Sequence, residues 1–184
     1  MSTQGLDDPL SSTPSGISPS FGVARGIDPR TATSPIELTA VDSLDAIVRT
    51  LYASIYPKRH KDGVTGVAQP DWTRFRALFD PSARLVKVDG ARTDAMSVDS
   101  FIAHVEASPQ RAIEERELAR RTDAYAGIAQ VFSSYDRVDA SGQVCRGINT
   151  IQLRNDGRRW WIFSLMWADE CEADPMPSRY LPRH

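Results

Sequence analysis

Residues 124–170 read AYAGIAQVFSSYDRVDASGQVCRGINTIQLRNDGRRWWIFSLMWADE, and this stretch decides the fold. Within it, residues 128–138, 144–154 and 159–168 are rich in Val, Ile, Phe, Tyr, Trp and Thr. Turn signals separate them, which is the pattern of consecutive antiparallel strands. Asp156-Gly157 suits a two-residue type I′ hairpin, where both central residues take φ > 0. That turn sets Asn155 opposite Arg158, then Leu153 opposite Trp160, Ile151 opposite Ile162, Asn149 opposite Ser164 and Gly147 opposite Met166. The second face pairs Gln152 with Trp161, Thr150 with Phe163, Ile148 with Leu165 and Arg146 with Trp167. The earlier break, Asp139 to Gln143, fits a three-residue loop with Gly142 left-handed. It places Asp136 opposite Arg146, a favourable cross-strand pair. It also adds Ala129, Val131, Ser133 and Tyr135 to the first face, and Gln130, Phe132, Ser134 and Asp136 to the second. Both faces carry large apolar groups, so both are expected to be covered, one by helices and the other by a second subunit.

Length and charge narrow the function classes. A chain of 184 residues is one domain by default. A formal charge of −2 leaves no electrostatic footprint for nucleic acid or an anionic membrane, and neither is an expected partner. No apolar run approaches spanning length. The N-terminus lacks the basic and apolar regions of a signal peptide, so the expected location is cytoplasmic. The hairpin register puts Cys145 opposite Ala168 and Cys171 three residues beyond, so two unpaired thiols are expected. No Cys/His spacing matches a metal site, and no cofactor is expected.

Outward from the hairpins, Ser43 to Tyr56 reads as a helix, with Leu44, Ile47, Val48, Leu51, Tyr52 and Ile55 at helical spacing. Asp42 or Ser43 can cap it, and Pro57 ends it. The following loop is basic and contains His60, which reads as solvated. Pro70 and Asp71 open a second helix bearing Trp72, Phe75 and Phe79, closed at Asp80-Pro81. Ala83–Asp89 reads as a strand, and Ser97 caps a third helix with Val98, Phe101, Ile102 and Val105 in its stripe. Residues 112–122 have helical propensity, yet the short link through Ala126-Gly127 favours a hairpin, and the segment is read as a strand. Residues 1–38, dense in Ser, Thr, Pro and Gly, read as a disordered arm. Residues 39–172 form the domain, and 173–184 are an extended, proline-rich tail along the surface.

The segments DWTRFRALFDPSARLV, SVDSFIAHVEA, GIAQVFSSYD, RGINTIQL and GRRWWIFSLMWADE, with the RYL tail, resemble the nuclear transport factor 2-like (NTF2-like) superfamily. That superfamily includes ketosteroid isomerase, scytalone dehydratase and SnoaL-type cyclases, and the resemblance covers about residues 40–182. It implies an α+β cone, a curved antiparallel sheet with three helices packed on its concave face around a pocket, and often a dimer through the outer faces of the sheets. It does not imply a reaction, because unrelated chemistries and binding roles share this fold.

Apolar content favours the first face as the interior. The resemblance, which turns a terminal-strand tryptophan inward, favours the second, and the second is taken as the pocket wall. The expected lining is Tyr52, Trp72, Gln130, Phe132, Arg146, Thr150, Gln152, Phe163 and Trp167. Gly147 signals a bulge or a close approach. The isomerase set of aspartate base, tyrosine and protonated aspartic acid cannot be placed, since Thr150 and Gln152 stand where a carboxylic acid is wanted. Acid–base candidates are His104, Asp136 and Tyr52. Glu170 reads as a solvated strand end more readily than as a lid carboxylate, and Ser133 and Ser134 lack a nucleophile elbow. The expected function is dimeric binding of an apolar or aromatic small molecule. The alternatives are a proton-transfer isomerase, dehydratase or cyclase, and an interaction module whose cavity is filled by Trp167, Phe163 and Trp72.

Overall fold

Three helices pack on one face of a six-stranded sheet in the computed structural model, which describes residues 38–56, 69–108 and 112–182. Residues 1–37 of the expected arm, His60 in the basic loop, and His184 lie outside the described residues. The helices are α1 (Leu44–Ile55), α2 (Trp72–Arg76) and α3 (Val98–Ala107). The strands are β1 (Phe79–Asp89), β2 (Arg92–Met96), β3 (Ala112–Tyr125), β4 (Ile128–Asp139), β5 (Val144–Asn155) and β6 (Trp160–Asp169), in the order β2-β1-β6-β5-β4-β3. The sheet is curved and unclosed, and its class is α+β. It is mixed rather than wholly antiparallel, because β1 runs parallel to β6. Among the described residues no helix is long and apolar enough to cross a membrane.

Local chemistry explains most of the elements. The Ser43 side chain accepts from Ala46 N, and the Ser97 side chain from Ser100 N, so both helix starts spend an orphan donor on a capping hydroxyl. α1 then buries Ile47, Val48 and Leu51 against the sheet. Asp71 caps α2 through Arg74 N, but the helix ends at Arg76, not at Asp80-Pro81. Phe79 and Asp80 already belong to β1, where Ile162 N donates to Leu78 O and Phe79 pairs with Ile162. Pro81 falls in the irregularity between Phe79 and Arg84, where a missing N–H is tolerated. The short edge strand β2, which the sequence reading passed over, pairs with β1 through the turn at Gly90. Residues 112–125 are a strand, paired along β4, so tertiary pairing overrides their helical propensity.

The last hairpin departs from expectation twice, and the second departure changes which residues share a face. The β4–β5 loop forms as expected, with Gly142 at φ +84 and Asp136 opposite Arg146. The β5–β6 turn does not. Asp156 is not left-handed, and its side chain accepts from the backbone N–H groups of Arg158 and Arg159. Those bonds hold a four-residue loop in which Asn155 faces Trp160. Further along the same two strands, the register slips between Gln152 and Leu153, which pair with Ser164 and Ile162. Phe163 is the extra residue, and a one-residue bulge turns everything after it to the other face. Leu165 and Trp167 therefore join the interior, opposite Ile151 and Asn149. Continuing the Gly147–Asp169 register by two residues brings Cys171 level with Cys145, not three residues beyond it; both are free thiols.

The interior is thus the first face. Ala129, Val131, Ser133 and Tyr135 of β4 are buried, as are Asn149, Ile151 and Leu153 of β5. Trp72, Phe75, Phe101 and Trp167 extend this core as an aromatic chain, with ring centroids 5.5 to 5.7 Å apart. The opposite face carries the tail: Tyr180 stacks on Phe132, and the Ser134 hydroxyl donates to the Tyr180 carbonyl at 2.5 Å.

Candidate ligand-binding cavity

A cavity of about 380 Å³ opens between the helices and the interior face. Leu51 and Ile55 of α1, Phe101 and Val105 of α3, and Leu165 and Trp167 of β6 give it an apolar wall. Its floor is polar and is built in rows across the strands.

The first row is Arg120, Ser133, Asn149 and Trp167, from β3, β4, β5 and β6. Tyr52 reaches down to it from α1. Ser133 Oγ donates to Glu117 Oε1 at 2.6 Å, so the Tyr52 hydroxyl donates to Ser133 at 2.8 Å and accepts from Asn149 Nδ2 at 3.1 Å. Burial first, then the charge of Glu115, raises the pKa of Tyr52 and keeps its phenol neutral. Glu117 is gripped by two nitrogens of Arg120, at 2.7 and 2.6 Å, and Arg120 also reaches Asp45. A bulge in β3 between Glu117 and Ala119 is what brings Glu117 and Arg120 to the same face.

The second row is Glu117, Tyr135, Gly147 and Asp169. Gly147 has no side chain, and the Tyr135 ring uses that space to cross β5. Its hydroxyl donates to Asp169 Oδ1 at 2.7 Å. Arg137 and Lys87 approach the other Asp169 oxygen at 3.1 and 3.9 Å. Burial, reinforced by the Asp169 charge, raises the pKa of Tyr135 and of the Cys145 thiol.

Glu115 stands in the third row, beside Arg137 and Cys145. Asn149 and Tyr56 are the neutral hydrogen-bond donors that act on its carboxylate. Burial pushes its pKa up to about 7; Arg137 and the two hydrogen bonds oppose the shift, and Asp169 adds to it. An unfolded glutamate has lost its proton well below this value, so between the two pKa values the folded state binds the extra proton. Stability is therefore fullest below the unfolded pKa and falls as pH rises through about 7. Glu115→Gln is expected to raise stability by about 1–3 kcal/mol at pH 8 and to leave it nearly unchanged at pH 4, measured by urea denaturation. A stabilisation equal at both pH values would contradict the assignment.

The expected lining divides between the two faces. Tyr52 and Trp167 line the cavity, and Trp72 packs edge-on to Phe75 behind it. Gln130, Phe132, Arg146, Thr150, Gln152 and Phe163 lie on the opposite face, because the bulge at Phe163 separates them from Trp167. Asp136 is there too, bonded to Arg116 at 3.0 Å and Arg146 at 3.3 Å. His104 is exposed at the cavity rim. Glu170 accepts from Met176 N, which anchors the start of the tail. The cavity groups missed from sequence are Glu115, Asn149, Tyr135 and Arg137. Glu115 and Glu117, two residues apart on a strand, share one face, but that spacing alone does not say whether the face is buried. Among the described residues no cluster of His, Cys, Asp and Glu could hold a metal ion.

This fold is NTF2-like. A ketosteroid isomerase candidate from Parabacteroides distasonis matches with a TM-score of 0.52 at 13% identity, over 75% of this chain and all of that one. A candidate calcium/calmodulin-dependent kinase II association domain from Exiguobacterium sibiricum matches at 0.53 and 9% identity, over 70% of this chain and 91% of that one. An NTF2-like protein of unknown function from Silicibacter pomeroyi matches at 0.46 and 18% identity, covering 69% and 92%. At these identities the likeness concerns the fold alone. No protein-family model and no curated protein matches the chain.

Proposed function

We propose that the protein binds an apolar or aromatic small molecule in the interior cavity. The observation that carries this reading is an apolar space of about 380 Å³ ending on a polar floor. That size and mixture suit a small ligand oriented by a few polar groups. Val105 borders the cavity on α3, so Val105→Trp fills it without touching the floor. A thermal-shift screen of small aromatic and alicyclic compounds should give hits on the wild type that Val105→Trp loses. A screen with no hit, or hits unchanged by the substitution, would remove the reading.

A second reading, proton-transfer catalysis, is favoured by Glu115, a cavity carboxyl with a pKa of about 7. It is supported if the protein exchanges solvent deuterium into a bound carbon acid and Glu115→Gln stops the exchange.

Two copies are proposed to pair through the outer face, where Tyr125, Ile128, Phe163 and Met166 are exposed. Light scattering should then find a dimer that Phe163→Glu dissociates; a wild-type monomer at micromolar concentration would contradict this.

A further inference from the structure

We infer that the cavity's ligand is an organic cation, an aromatic or apolar body carrying one protonated amine that pairs with Glu115. The inference rests on the binding reading above and names the ligand class.

The cation beside Glu115, Arg137, is shared with Asp169. Arg137 on β4 and Lys87 on β1 both approach Asp169 on β6. Arg120, further along β3, is held by Glu117 and Asp45. Among the described residues no ion pair reaches Glu115, whose partners are the neutral donors Asn149 and Tyr56. Asp139 adds a further carboxylate to the lining, and His104 is at the rim. Lys87 and Arg137, the two basic side chains of the lining, both lean toward Asp169, so an ionised Glu115 keeps a side open to a ligand's charge. One ammonium fits that side.

The neutral wall points the same way. Tyr52, Tyr56, Phe101 and Trp167 line the same cavity as the carboxylate. Aromatic faces attract a desolvated cation through their quadrupoles, and the carboxylate supplies the directional contact. A hydroxyl ligand gains less, since the phenol protons of Tyr52 and Tyr135 are already given to Ser133 and Asp169. A carboxylate ligand could sit beside Glu115 only while Glu115 holds a proton, so its affinity would fall with rising pH. An ammonium shows the opposite slope.

The test compares three ligands on one skeleton, tryptamine, tryptophol and indole-3-acetate, by calorimetric titration of the full chain. At pH 8 tryptamine should bind at least about tenfold tighter than tryptophol, as expected for one added charge-assisted contact. Its affinity should fall about tenfold on going to pH 6, following protonation of a group with a pKa of about 7. Glu115→Gln should abolish both the preference and the slope. The wild-type pH slope provides a second measurement should the variant fold poorly. Equal binding of tryptamine and tryptophol, or tightest binding of indole-3-acetate, would overturn the amine and leave the binding reading intact. Failure of all three, with an empty screen, would overturn both.

Discussion

Gly147→Ala destabilises the protein by about 3 kcal/mol or more, because overpacking of a rigid site forces backbone movement. A Cβ built at Gly147 lies 2.6 Å from the Ala168 carbonyl oxygen and collides with the Tyr135 ring and hydroxyl. The Tyr135 ring could rotate, but only by giving up the bond to Asp169 that crosses β5. The Ala168 oxygen is backbone in β6 and cannot swing aside. The second row of the floor therefore depends on a missing side chain. Urea denaturation gives the comparison, and the double variant Gly147→Ala/Tyr135→Leu should recover only part of the loss. A change below about 1 kcal/mol would mean that the sheet relaxes freely here.

Arg120→Met costs about 2–3 kcal/mol, somewhat below the range for breaking a fully buried pair, since both side chains keep some solvent contact. Arg120 and Glu117 side chains are only 15% and 23% exposed, and both guanidinium contacts to Glu117 are at or below 2.7 Å. Methionine fills much of the same volume but leaves Glu117 with Ser133 as its hydroxyl donor. The loss passes to Tyr52, whose hydroxyl is aligned by Ser133. Glu117→Gln in the Arg120→Met background should be milder than the sum of the two single changes, with a coupling above about 1 kcal/mol. Strict additivity of the two would show that the pair contributes nothing specific.

Features set by short-range chemistry were legible in the sequence. Ser43 and Ser97 cap their helices, and Gly142 is left-handed, each for reasons contained within four residues. Asp136 and Arg146 face one another because a three-residue loop fixes that register. The interior face was harder to read because it depends on a single bulge. Asp156-Gly157 suggested a two-residue turn, while the Asp156 side chain bonds to Arg158 and Arg159 and lengthens it. Phe163 then bulges, which no propensity announces, and Trp167 comes inward without its expected companions. The argument from apolar content had favoured the correct face, since Val131, Tyr135, Ile151 and Leu153 are all buried there. Gly147 was flagged as a bulge or a close approach, and it is a close approach. Glu115 was hidden for a different reason. In a segment as charged as IEERELARR a carboxylate reads as solvated, and only pairing with Arg137 beneath α1 makes it a cavity group.

The most direct test of the central claim is a crystal structure of the full chain grown with a compound that shifts its melting temperature. The account predicts density for that compound between Phe101, Val105 and Trp167, with its polar end within hydrogen-bonding distance of Glu115 or Asn149. Density on the outer face instead, with the cavity closed by Phe101 and Trp167, would contradict it.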